Sequence, residues 1–182
     1  MLNSDHPDAR CVDPGIAVLR WTGALPPDLR IPIIMAPIFF LGFFASALGE
    51  EIGWQGYAFG YLRSRWNALE SAVILGAAWA LWHVIPFLQT HRGLRWVAWQ
   101  SMATIVMRII IVWLYVNAGD SILAAALFHS MNNVSVFLFP NYGSNYDPFV
   151  ACVILTLTAV SVVFLWRPRT MARFRYAPPN GN

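Results

Sequence analysis

The chain has 182 residues, 58% of them hydrophobic and only 12% charged, with a mean hydropathy of +0.52. Soluble domains carry about 25% charged residues, so this composition excludes a water-soluble globule and points to a protein that exposes apolar surface to lipid. The formal charge is +3, all twelve basic residues are arginine, and they form no patch between aromatics, which excludes a nucleic-acid partner.

Residues 1–30 are a polar N-terminal tail with four prolines and with Asp5, Asp8, Asp13 and Asp28. The tail lacks the apolar core of a secretory signal. From Ile31 to Gly49 there is no charge, and the helical pattern runs on through Glu50 and Glu51 to about Leu62. Further apolar runs follow at Ser71–Thr90, Trp96–Gly119, Ser121–Phe139 and Phe149–Trp166. At about 20 apolar residues per span, residues 31–167 read as a polytopic bundle of about five transmembrane helices, an all-α fold. Continuous rather than alternating runs exclude barrel strands. Residues 168–182 form a basic C-terminal tail. Cys11 and Cys152 give neither a disulfide framework nor a metal motif.

With five spans, six arginines fall on the side of the C-terminal tail and five on the other. The cluster Arg167, Arg169, Arg173 and Arg175 favours a cytoplasmic C-terminus. Membrane lipid is thus the surrounding partner, and the expected location is the plasma membrane of a prokaryote.

Ionisable groups within a bilayer cost at least about 2.5–3.5 kcal/mol each on insertion scales, so those retained there carry information. In Gly49-Glu50-Glu51-Ile52-Gly53-Trp54-Gln55, neighbouring carboxylates point about 100° apart on a helix. One can face a cavity while the other is engaged structurally, and Glu51 and Gln55 share a face at i,i+4. The plainer alternative is a helix end whose glutamates reach headgroup water. His83 follows Trp79 at i,i+4, so the indole can pack beside the imidazole; a hydrogen-bonded packing histidine is the alternative. His129 and Asn133 repeat the spacing and make one polar spot, either oxyanion donors or an interhelical clasp. Arg108 sits alone near the middle of its span. Together, on separate helices, these side chains comprise a base, a polariser and oxyanion donors, the parts needed for water attack on an amide.

Glu50-Glu51 with Gln55, Trp79 with His83, and His129 with Asn133 resemble the three motifs of the CAAX-protease and bacteriocin-processing (CPBP/Abi) family: Glu-Glu-x-x-x-Arg, aromatic-x-x-x-His and His-x-x-x-Asn, over about residues 31–140. The resemblance implies an intramembrane endopeptidase acting on a prenylated protein or a small peptide. Glu50 would activate water, His83 would help to hold it, His129 and Asn133 would stabilise the oxyanion, and Glu51 would support the site. The family is read both as zinc-dependent and as metal-free. There is no HExxH here, although Glu50, His83 and His129 offer three ligand types. Gln55 stands where the family has arginine. It can still donate to Glu51 but brings no charge, so Arg108 is expected to pair with Glu51 or Glu50 across the bundle. Members commonly carry extra helices before the first motif, and a partner subunit shielding the first helix is one expectation here. A non-catalytic immunity or scaffold protein is the alternative function. A proton-coupled transporter is disfavoured, because no inverted repeat is visible.

Overall fold

In the computed structural model, residues 33–139, 143 and 145–172 are described. The polar tail 1–30, and Arg173 and Arg175 of the basic tail, lie outside them. Five helices follow in chain order: α1 (Ile33–Leu62), α2 (Ala68–Gln89), α3 (Leu94–Asn117), α4 (Ile122–Leu138) and α5 (Pro148–Trp166). Four are long and apolar enough to cross a membrane; α4, at 17 residues, is shorter. The protein is therefore a polytopic helical membrane protein, as the apolar runs predict.

Local chemistry fixes the helix starts. Asn67 accepts from the Glu70 N–H at 2.9 Å, and the Glu70 carboxylate accepts from the Asn67 N–H at 3.1 Å. This reciprocal cap starts α2 at Ala68, three residues before the apolar run suggests. The Ser121 side chain caps α4 and Asp147 caps α5, where Pro148 occupies the first turn. After α5 the chain turns back. The Pro168 and Arg169 carbonyls accept from the Leu69 and Ala68 N–H groups, and the Asn117 amide donates to the Met171 carbonyl at 2.8 Å. Met171 is thereby buried at the foot of the bundle.

Helix α3 lies against α2, α5 and α4, while α1 lies chiefly against α4. Its burial is the deepest: Met107, Ile111, Val112 and Tyr115 join the core with Trp79 of α2 and Phe59 of α1. Gly76 lets α2 approach α3 closely, because a Cβ there would come 2.9 Å from the Ile105 carbonyl oxygen and 3.1 Å from the Arg108 Cβ. By contrast α1 buries only one stripe, Ala47, Glu51, Gln55 and Phe59. Leu157, Val160 and Phe164 of α5 remain exposed, as suits a lipid-facing surface.

Directly after the two glutamates, α1 widens from the α-helix Ala36–Glu51 into a π-helix, Ile52–Phe59, before closing with Gly60–Leu62. Here the hydrogen bonds reach one residue further than in an α-helix.

Candidate active site

The adjacent carboxylates at the end of the α-helical part of α1 have different surroundings. Glu51 is wholly buried, whereas Glu50 is partly exposed and lines a cavity of about 360 Å³. The Arg108 Nη1 donates to Glu51 Oε2 at 2.7 Å, and the His129 Nδ1 lies 2.9 Å from Glu51 Oε1. Both oxygens of Glu51 are thus engaged, one by α3 and one by α4, so the three helices are joined at a single carboxylate. The pairing expected of Arg108 is made, and made to Glu51.

Gln55 does not make the bond expected of it. Its side chain is fully buried, yet neither its amide nitrogen nor its oxygen has a hydrogen-bond partner among the described residues. The physical reason is that both Glu51 oxygens are already engaged, one by Arg108 and one by His129. The cation for Glu51 comes from 57 positions away instead.

Trp79 does more than pack beside an imidazole. Its ring meets His83 edge-on at 5.4 Å and His129 edge-on at 4.9 Å, and the Arg108 guanidinium lies 4.0 Å from the ring centroid. This cation–π contact offsets part of the cost of burying a guanidinium that makes one direct ion pair. The indole N–H donates to Glu50 Oε2 at 3.0 Å. One carboxylate oxygen of Glu50 is therefore held by the indole, while the residue borders the cavity.

The two histidines are oriented alike. A carbonyl oxygen only accepts, so the contact of 3.0 Å between His83 Nδ1 and the Trp79 carbonyl assigns the proton to Nδ1. The His129 Nδ1 likewise donates to a carboxylate. In each ring Nε2 remains for the cavity, which both rings line together with Asn133. Glu50, His83, His129 and Asn133 therefore border one space, while Glu51, Gln55 and Arg108 lie behind its wall.

The site does not gather a zinc ligand set. Among the described residues no three His, Cys, Asp or Glu side chains group closely enough to hold a metal ion. Glu50, His83 and His129 do not form such a group in this structure.

Several lining residues escape sequence reasoning: Arg92, Gln100, Thr104, Asn132 and Tyr146. Gln100 and Thr104 share a face of α3 at i,i+4, a polar pair in an apolar run that could have signalled a cavity wall. The Trp79 N–H to Glu50 bond has no such signal, because it joins residues 29 positions apart.

Residues 32–135 match the family model described as type II CAAX prenyl endopeptidase Rce1-like, more than half of the chain. The chain belongs to this CAAX endopeptidase family. A CAAX prenyl protease 2 from Methanococcus maripaludis is 30% identical over 108 residues, 54% of this chain. The chain spans 39% of the length of that relative. The matched CAAX endopeptidase region contains every motif residue described above and ends just past Asn133. The departure at Gln55 therefore lies within the family core.

Proposed function

We propose that this protein is an intramembrane endopeptidase that hydrolyses a peptide bond of a prenylated protein or peptide near its C-terminus, with Glu50 as general base. One observation carries the reading: Glu50, His83, His129 and Asn133 line a single cavity. Family membership supports peptide-bond hydrolysis, and the printed names of the family and of the relative motivate the prenylated substrate.

In this reading water sits between Glu50 and His83. It donates one proton to Glu50 and is steadied by the His83 Nε2 as it attacks the scissile carbonyl. The developing oxyanion is met by the Asn133 N–H and by His129 Nε2–H in its doubly protonated form. Collapse of the tetrahedral species breaks the C–N bond, and the proton held by Glu50 passes to the leaving amine. Glu51 and Arg108 touch no substrate; they hold the His129 ring in place.

The test is Glu50→Gln in lipid nanodiscs with a fluorogenic peptide carrying a prenylated cysteine near its end. Hydrolysis should fall at least a thousandfold while the protein remains folded. Activity retained in that variant would remove Glu50 as base. If the wild type binds the peptide without cutting it, the scaffold reading replaces this one. The cavity runs toward the α2–α3 and α4–α5 turns, the side away from the C-terminal tail. A substrate made in the cytoplasm therefore requires those turns to face it, opposite to the orientation that the arginine count expects. Reporter fusions at the C-terminus test this side directly.

A further inference from the structure

The cavity has a charged feature at its open end that the hydrolytic groups do not use. Thr90, Arg92 and Trp96 of the α2–α3 turn region line it there, with Tyr146 of the α4–α5 connection opposite. The Arg92 guanidinium lies over the Trp96 ring, 4.7 Å from its centroid, and that ring meets Phe87 edge-on at 5.4 Å. Among the described residues Arg92 has no carboxylate partner. Among the described residues Glu50, at the deep end, is the one acidic residue lining this cavity. Acid and cation thus stand at opposite ends of one space.

A guanidinium steadied on an aromatic face keeps its planar fork of N–H donors available at the edge, a geometry that matches a carboxylate with two parallel hydrogen bonds. The spacing says how long a ligand would have to be. His83 and Thr90 both line the cavity from α2, seven residues apart, which is about 10 Å along the axis at 1.5 Å per residue. An extended peptide covers about 3.3–3.6 Å per residue, so about three residues bridge the hydrolytic groups and the mouth.

We propose that Arg92 binds the free C-terminal carboxylate of the substrate peptide, and so sets where along the chain the cut falls. The inference rests on the hydrolase reading above and adds the group that recognises the chain end. Water adds across the scissile C–N bond, its proton passing through Glu50 to the new amine. The short peptide released then carries that amine at one end and the carboxylate held by Arg92 at the other. Gln100 and Thr104, on the α3 wall between the two ends, present polar groups alongside the bridging peptide.

The experiment compares two prenylated peptides of one sequence, one ending in a free carboxylate and one in a carboxamide, in phosphatidylcholine nanodiscs. The wild type should prefer the acid by on the order of tenfold in kcat/KM, mostly through KM. In Arg92→Gln that preference should shrink to near one, and Arg92→Lys should keep part of it. Equal use of the two peptides by the wild type overturns the proposal, as does a preference that persists in Arg92→Gln. A shift that affects both peptides alike, and only when phosphatidylglycerol is added to the discs, assigns the guanidinium to a lipid phosphate and overturns it too. Binding of both peptides to Glu50→Gln separates this inference from the hydrolase reading. Discrimination in binding with no hydrolysis by the wild type leaves the carboxylate site standing and removes the enzyme. Hydrolysis without discrimination does the reverse.

Discussion

Arg108 of α3 reaches Glu51 of α1 at 2.7 Å, with both side chains wholly shielded from solvent. A carboxylate buried at this depth without a cation is strongly disfavoured, and the position four residues on, Gln55, offers none. Arg108 supplies the charge from a different helix. Its face rests on Trp79, so the pair and the indole form one packed unit.

Removing that cation should be costly. Arg108→Gln leaves Glu51 buried and unpaired, a change of about 3–5 kcal/mol for buried pairs. Thermal unfolding in detergent should register it as a large fall in midpoint, with activity lost in parallel. Adding Gln55→Arg should restore part of both, because residue 55 lies on the same buried stripe as Glu51. Unchanged stability in the single variant would show that Glu51 does not depend on Arg108.

Trp79 separates packing from hydrogen bonding. Trp79→Phe keeps an aromatic ring beside His83 and His129 but removes the donor to Glu50. We expect kcat to fall by about ten- to a hundredfold, as for loss of a hydrogen bond to a charged group at about 1.5–3 kcal/mol, with a much smaller change in KM. Trp79→Ala should also lower stability, since it removes the ring that covers Arg108. Equal kcat for wild type and the Phe variant would assign the indole to packing alone.

Gly76 tests the helix crossing that positions Arg108. A Cβ at residue 76 meets backbone of α3, the Ile105 carbonyl oxygen at 2.9 Å and Cα at 3.0 Å. Backbone cannot swing aside as a side chain can, so Gly76→Ala should push α2 from α3 at a cost of about 1–3 kcal/mol. Activity should fall as Arg108 and Trp79 separate. The exposed Gly42 has open space around its Cβ position, and Gly42→Ala is the control that should leave both properties nearly unchanged.

Much of the fold can be read along the chain because lipid imposes one simple rule. Every backbone polar group must be satisfied within its own segment, so a long apolar run is a helix. The helix starts were less visible, and the Asn67–Glu70 cap moved one of them. Glu50, His83, His129 and Asn133 stand out because polar groups in apolar runs are rare. The π-helix at Ile52–Phe59 does not stand out, since it depends on how α1 settles against α2 and α4.

The sequence by itself determined the membrane class, the five helices, and the polar residues that had to face inward, because insertion cost acts on each residue separately. Only the tertiary structure decided which of these groups touch. It gave Glu51 to Arg108 and His129, left Gln55 without its expected bond, tied Glu50 to Trp79, and set Arg92 at the mouth. Those pairings join positions as far as 78 residues apart. They arise from helix packing and register, for which no local pattern of residues carries the information.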